Sequence, residues 1–202
     1  MAAADFFNLF LQNVAQTTLI EIIAVVFGLL SVWYSMKVNI LVYPTGIVSV
    51  LIYVYICFFA GLYADMGINF VYFVMSIYGW YNWSRSGIDK PKLAVSFSTT
   101  KELTIGIVAT MIAFIALSYV LFNFTDSTVP FIDSFTTAVF IVGMWLMAVK
   151  KVENWIYWII GDIVSVPLYF YKGLVFTSFQ YLVFLIIAVV GYYAWRKEAR
   201  LA

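Results

Sequence analysis

Residues 103–122 read LTIGIVATMIAFIALSYVLF, twenty positions without one charged side chain. A helix needs about 20 apolar residues to cross the ~30 Å hydrocarbon core of a bilayer, so this run is long enough to span on its own. Its apolar residues are continuous, whereas the strands of a membrane β-barrel alternate. Working outward, runs of the same kind occupy 19–36, 40–59 and 68–83 on the amino-terminal side, and 131–149, 155–171 and 174–195 on the carboxyl-terminal side. Their ends are rich in Tyr and Trp, which settle at membrane interfaces. The sequence thus predicts an all-α polytopic membrane protein with seven transmembrane helices.

The composition of the 202 residues agrees, with 65% hydrophobic and only 10% charged, against about 25% charged in a soluble domain. Seven spans leave little chain for a catalytic domain. There is no His, and the single Cys, Cys57, lies inside an apolar run. Zinc, haem, iron–sulfur and Cys/His nucleophile sites cannot be assembled from this inventory, so no cofactor is expected. The phosphate loop G-x-x-x-x-G-K-[ST] is absent too, and with it the means to energise transport by ATP. An enzyme is not expected, and nothing suggests a nucleic-acid partner.

Residues 1–18 lack the basic flank of a signal peptide and set Asp5 among Phe6, Phe7, Leu9, Phe10 and Leu11, which reads as an interfacial segment, with a frayed terminus as the bland alternative. Beyond it, sliding the chain against itself until Gly61 falls on Gly173 also overlays Leu62 on Leu174, Val71 on Val183, Gly79 on Gly191, Tyr81 on Tyr193 and Trp83 on Trp195. The stretch 47–50 matches 163–166 when the chain is slid four positions further, a slip of about one helical turn. The expected organisation is a first three-helix repeat at 19–87, a cytoplasmic loop and linker helix at 88–130, a second three-helix repeat at 131–197 and a tail at 198–202. An odd linker makes the repeats parallel.

Alternate connections carry very different charge. One set holds Lys37, Arg85, Lys90, Lys92, Lys101, Lys150, Lys151, Arg196, Lys197 and Arg200, and the other only Lys172. The positive-inside rule then places the amino terminus outside and the carboxyl terminus in the cytoplasm. The outer loops carry Asp65, Asp126 and Asp133, an acidic mouth that favours cations.

Candidate site residues follow from polar stripes on apolar helices. In the sixth span Trp155, Trp158 and Asp162 stand at i, i+3 and i+7, on one face. A carboxylate within the membrane is costly and lines a cavity or finds a partner, and two indoles beside it make a seat for a flat cationic ring. The bland alternative is a pair of interfacial tryptophans and an acid held by a neighbouring hydroxyl. In the third span Asn69, Tyr72 and Ser76 repeat the same spacing, and Gln180 is their counterpart in the seventh. These groups either bind a ligand or join helices. Tyr43 opens the second span near the place of Trp158 in the other copy after a small slip, which makes it a further candidate.

Two stretches resemble a known family, the PnuC-type vitamin transporters: Ile77-Tyr78-Gly79-Trp80-Tyr81-Asn82-Trp83 closing the first copy, and Glu153-Asn154-Trp155 through Trp158 opening span six. The resemblance runs over nearly the whole chain. It implies a 3+1+3 layout similar to the SWEET-type sugar transporters, a homotrimer in the bacterial inner membrane, and facilitated diffusion of a phosphate-free vitamin that a cytoplasmic kinase then traps. It also implies substrate binding by Trp155, Trp158 and the polar positions of spans three and six. The sequence departs from the nicotinamide riboside members in carrying Asn69 where a Gln is usual and Asp162 where an Asn is usual. Thiamine and nicotinamide riboside, both flat cations, therefore remain open as substrates. A SWEET-like sugar transporter is the alternative, though a neutral sugar gives no reason for Asp162.

Overall fold

The computed structural model describes residues 17–85 and 93–201; the expected interfacial segment, up to residue 16, lies outside the described residues. Seven helices are described: α1 Leu19–Met36, α2 Val42–Phe59, α3 Tyr63–Ser84, α4 Thr100–Phe124, α5 Pro130–Ala148, α6 Asn154–Tyr171 and α7 Val175–Leu201. Their starts are written locally. Thr18 with Glu21, and Thr99 with Glu102, form capping boxes, which satisfy helix-end N–H groups reciprocally. Pro130 opens α5, where its missing N–H costs nothing. The carboxyl-terminal residues are not a separate tail, because α7 continues through Leu201.

Five helices, α1, α2, α4, α5 and α7, are long and apolar enough by composition to cross a membrane. The other two, α3 and α6, carry the polar stripes. Neighbours around the molecule run α1, α2, α3, α5, α6, α7 and back to α1, while α4 packs against α5 from outside this ring. On α4, Met111, Ile112 and Ile115 are 59%, 63% and 67% exposed; such a surface is stable only against lipid or another apolar partner. Helix α5, flanked by α3, α4 and α6, is the opposite case, with Ala138, Val139, Phe140, Leu146 and Ala148 buried.

Several helix ends recur at the same offset as the sequence match. Helix α2 ends before Gly61 (φ +73°) and α6 before Gly173 (φ +77°); both glycines sit in the left-handed region that ends helices. After Gly61, the Leu62 N–H donates to the Cys57 carbonyl, and after Gly173 the Leu174 N–H donates to that of Tyr169. Val38 (φ 53°) and Lys150 (φ 54°), which the same offset superposes, end α1 and α5 in the same conformation, strained for residues with a Cβ. The bounds of α2 and α6 also superpose at both ends, Val42 on Asn154 and Phe59 on Tyr171. The longer slide is therefore corrected: 47–50 and 163–166 match in letters but not in register. It follows that Tyr43 corresponds to Trp155 and not to Trp158.

One end of the ring is closed by crossed indoles. Trp83 Nε1 donates to the Met147 carbonyl (3.3 Å), and Trp195 Nε1 donates to the Ser35 carbonyl (2.9 Å). The same end gathers the basic connections: Lys150 Nζ lies 4.3 Å from the centre of the Trp83 ring. Residues 93–99 cross it as a strap. The Ser96 N–H donates to the Lys150 carbonyl and the Val152 N–H to that of Ser96, both at 3.0 Å, and Ser98 donates from N–H (2.8 Å) and Oγ (2.6 Å) to Glu153.

A central cavity as candidate substrate site

Within the ring lies a cavity of about 210 Å³. Tyr72, Ser76, Trp155, Trp158 and Asp162, five of the residues singled out in the sequence, line it. Three others do not. Tyr43 is 1% exposed and packs edge-on against Trp83 at 5.2 Å, beneath the crossed indoles. Asn69 Nδ2 donates to the Asp65 carbonyl of its own helix (2.9 Å), as intrahelical amides do in apolar surroundings. Gln180 faces a separate cavity of about 260 Å³ with Glu21, Tyr53 and Thr177.

The wall contributed by α5, α6 and α7 is a run of stacked rings that single-helix reasoning could not assemble. Trp158 lies 5.2 Å from Phe140 at an interplanar angle of 26° and Phe140 lies 6.0 Å from Tyr181 at 15°; behind the wall, Tyr181 lies 4.9 Å from Tyr169 at 9°. Offset stacking of this kind is the arrangement that aromatic quadrupoles favour. Phe140 and Tyr181 were missed because their facing depends on how α5 and α7 rotate against α6. Small residues make the approach possible: a Cβ on Gly161 would fall 2.1 Å from the Phe140 ring, and one on Gly191 2.6 Å from the Trp155 indole.

Four buried polar atoms on α6 have no hydrogen bond among the described residues, Asn154 Oδ1, Trp155 Nε1, Asp162 Oδ2 and Ser165 Oγ, and of their residues Trp155 and Asp162 line the cavity. Asp162 is 2% exposed and its Oδ2 has no hydrogen bond among the described residues; Trp155 is 1% exposed and its Nε1 has none. A buried carboxylate without a partner is costly, and both residues line the cavity. Elsewhere the wall is mostly satisfied. Ser76 Oγ donates to the Tyr72 carbonyl (2.8 Å), Ser49 Oγ to that of Ala24 (2.8 Å) and Ser35 Oγ to Met147 Sδ (3.1 Å). Among the described residues no group of His, Cys, Asp and Glu could hold a metal ion. The cavity thus presents one unsatisfied acid beside flat rings.

At the end opposite the indoles, Lys172 Nζ pairs with Asp133 Oδ1 (2.7 Å) and Oδ2 (2.8 Å), Ser127 Oγ donates to Asp133 Oδ2 (2.6 Å), and Lys172 lies 5.7 Å from the centre of the Tyr169 ring. The acidic mouth expected there is thus partly neutralised.

Known proteins bear on this geometry. The chain matches the nicotinamide mononucleotide transporter family over residues 18–197. It is 30% identical to the nicotinamide riboside transporter PnuC of Escherichia coli (strain K12), over 90% of this chain and 86% of that one. It is 27% identical to the riboflavin/roseoflavin transporter RibM of Streptomyces davaonensis, over 98% and 92%. In three dimensions it is similar to the crystal structure of the vitamin B3 transporter PnuC, with a TM-score of 0.74 at 23% identity over 98% and 92% of the two chains. The chain, a multi-pass membrane protein, therefore belongs to the PnuC-type family of vitamin transporters.

Proposed function

We propose that the protein takes up a phosphate-free cationic vitamin, thiamine or nicotinamide riboside, by facilitated diffusion across the bacterial inner membrane, and that a cytoplasmic kinase traps the product. The observation that carries the choice of a cation is Asp162, a buried acid whose Oδ2 lacks a partner in the central cavity. A fixed positive charge on the substrate supplies that partner, and its ring lies on the stack of Phe140 and Trp158. Tyr72 and Ser76 offer hydroxyls to the remainder of the ligand. Downhill transport is supported by the absence of a nucleotide motif from the sequence. Two parallel three-helix repeats joined by α4 are supported by the helix ends and crossed indoles that recur at one common offset. The ten-to-one split of Lys and Arg supports an outer amino terminus. Assembly as a homotrimer follows from the family resemblance.

Proteoliposomes loaded with purified protein test this reading. Labelled thiamine or nicotinamide riboside should enter until inside and outside concentrations match, and stop. Accumulation above the outside concentration under a proton or sodium gradient would refute facilitated diffusion, and indifference to both vitamins would refute the substrate class.

A further inference from the structure

The two halves of the cavity wall come from equivalent positions of the two repeats, yet they carry different side chains. Phe140 and Trp158 line it from α5 and α6; the offset that carries Gly61 onto Gly173 gives them Gly28 on α1 and Gly46 on α2 as counterparts, and both of these line it as well. In the second half each ring is seated against a glycine. A Cβ on Gly161 would come within 2.1 Å of Phe140, and one on Gly143 would touch Trp158 at 3.5 Å. The counterparts of these two seats are Ser49 and Ser31, and there small residues face small residues. A Cβ on Gly28 would meet Ser49 Oγ at 3.2 Å, and one on Gly46 would meet Ser31 Oγ at 2.9 Å. The first half therefore lacks the rings and carries small serines in place of the glycines that seat them. Two buried polar side chains point to a ligand in the space left open, Asp162 at 2% exposure and Trp155 at 1%, each with an unpartnered atom.

We infer that Gly28 and Gly46 decide which ring systems the protein accepts: the aromatic part of the substrate occupies the place of the phenyl and indole that the first half lacks, stacked on Phe140 and Trp158. This rests on the cavity being the substrate site, as proposed above. Shape is then read by α1 and α2, through what they leave out, and charge by Asp162 on α6. A side chain added at 28 or 46 takes volume from the ligand, so wider ring systems are excluded first.

Binding to the purified full chain by titration calorimetry tests this, with nicotinamide riboside (one aromatic ring), thiamine (two separate rings) and riboflavin (three fused rings) as probes. Gly28→Ala needs only a small shift of the Ser49 hydroxyl. Gly46→Ala is made in the Ser31→Ala background, which removes the 2.9 Å clash with the Ser31 hydroxyl, with Ser31→Ala alone as its control. Each added methyl should weaken the widest vitamin that the parent binds by tenfold or more, and a narrower one less, with the melting temperature close to that of its control. Gly28→Phe made in the Ser49→Gly background, which restores the missing ring together with the glycine that seats it, should abolish binding in a protein that melts no lower than Ser49→Gly alone. If the parent binds one or more of the vitamins and a folded Gly28→Ala or Ser49→Gly/Gly28→Phe protein binds them as tightly as its control, or the methyls weaken wide and narrow ligands equally, the inference is overturned. If the parent binds none of the three, the reading of the cavity itself has failed.

Discussion

The two ends of the helix ring are closed by different chemistry. At the basic end, Trp195 is fully buried and stands edge-on to Trp155 at 5.8 Å, Trp83 and Tyr43 pack beside it, and both crossed indoles donate to backbone carbonyls. At the other end, the described residues place an ion pair, Lys172 with Asp133, and the Ser127 hydroxyl bonded to the same carboxylate, near the stacked rings of Tyr169 and Tyr181. Opening the first end must expose several large apolar rings and leave indole N–H groups unpaired; opening the second must separate a pair of charged side chains that water can solvate. The comparison makes the Lys172 end the readier one to open.

The largest effect that would sharpen this contrast is loss of the ring at 195. Trp195→Ala should destabilise the detergent-solubilised protein by about 3–5 kcal/mol, the range for emptying a buried aromatic site. Tyr193→Ala, at a side chain 63% exposed, should change little, and equal losses from the two would mean that this end is no better packed than the lipid-facing surface. Next comes the strap. Ser98→Ala removes a 2.6 Å bond to Glu153 and should cost about 1.5 kcal/mol, the lower figure for a hydrogen bond to a charged group, read as a shift in the midpoint of denaturation. Trp83→Phe keeps most of the ring and deletes the N–H that reaches Met147, so a loss of about 1 kcal/mol is expected. Because Trp83 and Trp195 touch at 6.1 Å between ring centres, the double Phe variant should depart from additivity. The smallest effect belongs to the opposite end. Lys172→Met should change stability by less than about 1 kcal/mol while raising the rate of vitamin entry into proteoliposomes. A slowed entry would show that the ion pair guides the substrate and does not close the mouth.

Much of the fold was legible because membrane helices leave a one-dimensional record. Five helices carry apolar runs long enough to span and the polar-striped α3 and α6 fall between them, so all seven helices could be placed with their ends off by at most about two turns. The equivalence of Gly61 and Gly173 could be read to the residue, since both have φ > 0. Facing was harder. Along α6 the spacing of Trp155, Trp158 and Asp162 sufficed, because one helix carries all three. Phe140, Tyr181 and the glycines of α1 and α2 reach the cavity only through the packing of separate helices, and nothing local distinguishes Phe140 from a lipid-facing Phe. Asn69 and Gln180 show the converse. An amide in an apolar helix looks like a ligand group, yet Asn69 satisfies itself on the Asp65 carbonyl, and Gln180 turns toward Glu21 and Tyr53 in another cavity. The match between 47–50 and 163–166 misled because four letters in an Ile- and Val-rich chain recur without structural register.

The claim on which the substrate assignment rests is that Asp162 recognises positive charge. Asp162→Asn keeps the shape of the side chain and removes its charge, so titration calorimetry of the parent and the variant, each with a cationic vitamin and with an isosteric neutral analogue, addresses it directly. A charged hydrogen bond contributes about 1.5–3 kcal/mol, so the cationic vitamin should bind the variant about ten- to a hundredfold more weakly, while the neutral analogue binds both proteins alike. Equal losses for the two ligands would contradict charge recognition and leave Asp162 a role in packing or neutral hydrogen bonding only.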